Sequence, residues 1–138
     1  MDNIIKKEDF VEIFIEKFVP SITSKELKKM NCYPPNHGYL WMICEHNLVK
    51  NLKGKEATLA YDNVNKIGAV EFQYDNGFLG DEFSVPLSQE NDTSEKINKA
   101  GLFEFYVIGK DFSWCYIVTH EPNGSGPYFI TRENAKID

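Results

Sequence analysis

A chain of 138 residues, 42% hydrophobic and 14% aromatic, can bury a core of its own and fits the size of one domain. Its 15 basic residues against 21 acids leave a net charge of −6. That balance argues against a nucleic-acid binder, which needs cations to displace phosphate counterions, and against a polybasic membrane surface.

No stretch approaches the roughly 20 apolar residues of a membrane-spanning helix. Met1 to Lys7 lacks the apolar run of a signal peptide. Cys32, Cys44 and Cys115 are odd in number and widely spaced, so reduced thiols in a cytoplasmic protein are expected. Ten Phe and seven Tyr favour a fold that contains a sheet.

Along the chain, Asp9 to Val19 reads as an amphipathic helix. Phe10, Ile13, Phe14 and Phe18 recur at three- and four-residue spacings, and Pro20 ends the run. Ser24 is the expected N-cap of a short second helix through Met30. After the break Pro34 to Gly38, the apolar run Tyr39 to Cys44 reads as a strand, with a buried helical turn as the alternative. Gly54 to Val64 carries Ala57, Ala60, Tyr61 and Val64 at helical spacing.

Ile67 to Asp75 then switches to a period of two, with Val70, Phe72 and Tyr74 alternating with Glu71, Gln73 and Asp75. Asn76-Gly77 marks a hairpin, because both residues tolerate the positive φ of a tight primed turn. Phe83 to Leu87 is its expected return strand, placed at an edge by Pro86. Ser88 to Lys99 reads as a polar loop. Leu102 to Ile108 and Ser113 to His120 form a second hairpin, and Pro127 to Thr131 a last strand. Helices followed by an antiparallel meander make a single α+β domain over residues 1–138, with N-terminal helices on a mainly antiparallel sheet of about five or six strands.

The charge is unevenly distributed. Residues 1–66 carry ten bases and nine acids, and residues 96–138 carry five of each. Residues 67–95 carry Glu71, Asp75, Asp81, Glu82, Glu90, Asp92 and Glu95 with no base, for −7. A bland account is a solvated edge hairpin whose charges discourage edge-to-edge aggregation. The functional account is a negative surface that steers and orients a cationic protein, as when carboxylates mimic phosphate in a nuclease site. On that account Glu71, Asp75, Asp81 and Glu82 are the contacts, and Phe78 at the hairpin tip is an apolar anchor.

A catalytic alternative centres on His120 as a general base, oriented by Glu104 or Glu121. The simpler account is a strand-end histidine bonded to backbone or to a turn carboxylate. Period two puts Trp114, Tyr116, Val118 and His120 on one face and Cys115, Ile117 and Thr119 on the other, so Cys115 and His120 do not pair as nucleophile and base. His37, His46 and His120 with Glu45 lack any short metal-ligand spacing, so neither metal nor cofactor is expected. Asn123-Gly124-Ser125-Gly126 lacks the lysine and helix of a phosphate loop and reads as a turn.

The run Lys110-Asp111-Phe112-Ser113-Trp114, then Val118-Thr119-His120-Glu121, then Gly126-Pro127-Tyr128-Phe129, resembles a small bacterial family of unknown function with a D-F-x-W, T-H-E, G-P-Y-F pattern. Glu56, Ala57 and Tyr61 within Gly54 to Asp62 are similar to that family's short helix, whereas the likeness is weak before Trp41. The resemblance implies a bacterial, cytoplasmic protein and carries no activity with it. Small, acidic, single-domain bacterial proteins of this kind include many immunity proteins, which suggests a cognate toxin as partner by analogy of size and charge. The expectation is therefore a non-enzymatic toxin inhibitor, with the motif residues fixing the last hairpin: Pro127 setting the turn, Tyr128 and Phe129 packing, and His120 capping.

Overall fold

The computed structural model describes residues 7–20, 23, 25–26, 41–75, 78–79, 85–86, 93–94, 104–119 and 126–132. Helix α1 spans Lys7–Phe18. It buries Phe14 and Phe18 and keeps Glu12 and Glu16 in water, as the apolar spacing requires. Its last turn closes with the Val19 N–H on the Ile15 carbonyl, one residue before Pro20. The following cap is Thr23, one residue before the expected Ser24. The Thr23 hydroxyl accepts from the Glu26 amide at 3.1 Å, and the Glu26 carboxylate accepts from the Thr23 amide at 3.0 Å. This reciprocal pair is a capping box, written in the sequence as Thr23-Ser24-Lys25-Glu26.

The run expected as a strand at Tyr39 to Cys44 is instead a one-turn helix, α2, at Trp41–Glu45. An apolar run this short carries no decisive period, and its ends settle the matter. The Trp41 amide donates to the Tyr106 hydroxyl at 3.1 Å, and the Tyr128 hydroxyl donates to Glu45 Oε1. Beyond Glu45, Asn47 takes a left-handed conformation at φ 57°. The Leu48 amide reaches the Ile43 carbonyl and the Asn47 amide reaches that of Cys44, a Schellman ending with Asn in the place glycine usually holds.

Strand β1 (Leu52–Lys53) leads through Gly54 into helix α3 (Lys55–Asn63). Gly54 sits at φ 61°, donates its amide to the Pro127 carbonyl, and accepts at its own carbonyl from Thr58. The remaining strands are β2 (Val70–Asp75), β3 (Phe78–Leu79), β4 (Val85–Pro86), β5 (Glu104–Ile108), β6 (Trp114–Val118) and β7 (Tyr128–Thr131). They form one antiparallel sheet in the order β1-β7-β6-β5-β2-β3, with β4 also paired to β2. The α+β architecture stands. The sheet has seven strands because β1 and β3 add to it, while the expected return strand Phe83 to Leu87 is present as β4.

Alternation in β6 divides the core into two layers. Cys115 and Ile117 join Phe14, Phe18, Ile43, Cys44, Tyr106 and Tyr128 under α1 and α2. Trp114, Tyr116 and Val118 join Ala57, Tyr61, Val107 and Phe129 under α3. Every residue of β6 is buried, because the strand is central and helices cover both of its faces.

Candidate partner-binding site

Strands β2, β3 and β4 of the acidic segment lie at the end of the sheet opposite β1. Asp75 lies opposite Phe78 and Tyr74 opposite Leu79, so β3 returns along β2 across residues 76–77, which lie outside the described residues, and does so earlier than the expected Phe83 to Leu87. The pairing does not continue in that register. Glu71 lies opposite Val85 and Val70 opposite Pro86, so β4 pairs with β2 in a different register from β3. Asp81 and Glu82, expected as contacts, lie outside the described residues. Pro86 lies at the sheet edge, where its missing amide proton costs no ladder bond.

Glu71 is placed by register as well as by period. Leu52, Phe129, Tyr116, Val107 and Glu71 stand directly opposite one another across five strands and therefore share the α3 face. The first four belong to the α3-side core. From β1 to β2 the row thus passes from an aliphatic edge through two aromatic rings and a valine to a carboxylate, and Val85 of β4 follows it in register. Glu71 is half-buried, and its Oε2 is withdrawn from water without a hydrogen-bond partner. Burial pushes its carboxyl above the ordinary value, because losing water penalises the charged form. Asp75 and Gln73 hold the same parity along β2, and Phe78 opens β3 opposite Asp75.

The far end of the acidic segment is tied to α3. The Ser94 amide donates to Asp62 Oδ1 at 2.9 Å and the Ser94 hydroxyl to Oδ2 at 2.6 Å, so one carboxylate accepts from both donors of Ser94. Sequence reasoning missed this contact, which joins residues 32 apart and leaves no periodic trace. Ser94 lies inside the stretch expected to be loop and is itself buried. At the near end Ile67, expected to open the strand, lies in the preceding turn and is 79% exposed.

The rival constellation is not brought together among the described residues. Glu104 begins β5 opposite Tyr74, and His120 and Glu121 lie outside the described residues, just past the end of β6. Cys44 and Cys115 are fully buried free thiols, and burial pushes both up, which holds them protonated and unreactive at neutral pH. His46 is exposed, and Glu45 is engaged by Tyr128. Among the described residues no three His, Cys, Asp or Glu side chains converge as a metal site would require. His37 and the Asn123-to-Ser125 loop also lie outside them.

The C-terminal motif does packing work wherever it is described. Phe112 is buried and meets Phe18 of α1 at 6.0 Å between ring centroids. Trp114 points to the other face, stacked on Phe129 at 5.7 Å and edge-on to Tyr61 at 5.8 Å. Its indole lies so close to Gly109 that a Cβ there would fall 2.3 Å from Nε1. Asp111 and Phe112 both adopt left-handed backbone, and the Arg132 guanidinium donates to the Asp111 carbonyl across the turn. Tyr128 and Phe129 pack into opposite core layers.

Neither a curated protein nor a solved structure shows significant similarity to the chain. A family model described as a domain of unknown function, DUF4275, matches residues 7–129. That span takes in α1, the whole sheet as far as Phe129, and all three segments of the C-terminal motif, and the chain belongs to the DUF4275 family.

Proposed function

We propose that this chain is a bacterial immunity-type protein, cytoplasmic and non-enzymatic, which binds a basic toxin domain and occludes its active site. The observation that carries the reading is the confinement of seven acids, with no base, to residues 67–95, while the rest of the chain is close to neutral. Strands β2, β3 and β4 of that segment are neighbours at one end of the sheet, and β2 carries Glu71 and Asp75, which supports a grouping of the charge there. A field of one sign speeds encounter with a cationic partner and fixes its orientation. A nuclease is the favoured partner, since its phosphate-binding groove is cationic and carboxylates compete for it. Ile67, exposed at the start of the segment, offers apolar area beside the acids.

The test is capture of the basic toxin domain encoded by a neighbouring reading frame, with purified components at low and high salt. Tight capture that weakens with salt through slower association is the expected result. Asp81→Lys with Glu82→Lys should reduce affinity by tenfold or more, about 1.4 kcal/mol. Unchanged affinity in that double variant would rule out the electrostatic reading.

A further inference from the structure

We draw no further inference here: the strongest candidate, the half-buried Glu71 carboxylate on the α3 face of β2, belongs to the acidic segment already proposed as the contact surface, and nothing in the structure shows what covers it.

Discussion

Glu71 combines two demands that pull against each other. Its strand parity places it on the apolar α3 face, and its position opposite Val107 gives it an aliphatic neighbour across the ladder. Because its folded pKa is raised above the ordinary 4.5, the folded state holds the proton more tightly than the unfolded chain does. Its contribution to stability is therefore full below about 4.5 and is lost as pH rises through the raised folded value. Glu71→Gln should stabilise the protein at pH 7 by no more than about 1 kcal/mol, a modest figure because half of the group is in water. The gain should vanish near pH 4. Paired urea titrations at the two pH values check this, and an equal effect at both would show that ionisation is not the cause. At Gly109 the constraint is space. Gly109→Ala drives a methyl into the Trp114 indole and should cost about 2–3 kcal/mol, seen as a lower denaturation midpoint.

Among the elements, α2 shows how a short segment takes its conformation from elsewhere. Five residues give a helix too little internal bonding to persist alone, since nucleation costs more than one turn returns. Tyr106 from β5 meets its first amide, Tyr128 from β7 meets its last side chain, and the Schellman turn at Asn47 closes its carbonyls. Tyr128→Phe keeps the ring in the core and removes the hydroxyl, so it should cost about 1–2 kcal/mol. The loss should appear as faster amide exchange at His46 and Leu48, which close this turn, while β6 stays protected. The G-P-Y-F motif belongs at this scale too. Tyr128 and Phe129 face opposite layers, so one motif pins both cores and helix α2 at once.

Over the whole molecule, a central antiparallel sheet separates two apolar layers. The β1 end is short and closed by Gly54 and α3, with Lys53 bonded to Asn47 Oδ1 at 2.5 Å. The β3/β4 end adjoins β2, which carries Glu71 and Asp75. If that end is the contact surface, ionic strength should act mainly on the association rate, and the Asp81→Lys, Glu82→Lys protein should lose most of its salt dependence. Stopped-flow mixing at several salt concentrations separates this from an apolar interface, for which dissociation would carry the change.

The chain itself determined the α+β class, the two long helical stretches, a chain reversal after Asp75 and the two faces of β6. Each rests on a local rule: a 3.6- or 2-residue apolar period, or a turn residue that tolerates positive φ. The concentration of acid in residues 67–95 needed nothing beyond counting. Tertiary structure alone decided that Trp41–Glu45 is a helix, that β3 pairs with β2 ahead of β4, and that Glu71 is drawn half out of water. It also decided that Asp62 holds Ser94 and Glu45 holds Tyr128. Those outcomes depend on hydrogen bonds and packing between residues dozens of positions apart, and such pairings leave no period in the sequence from which they could be read.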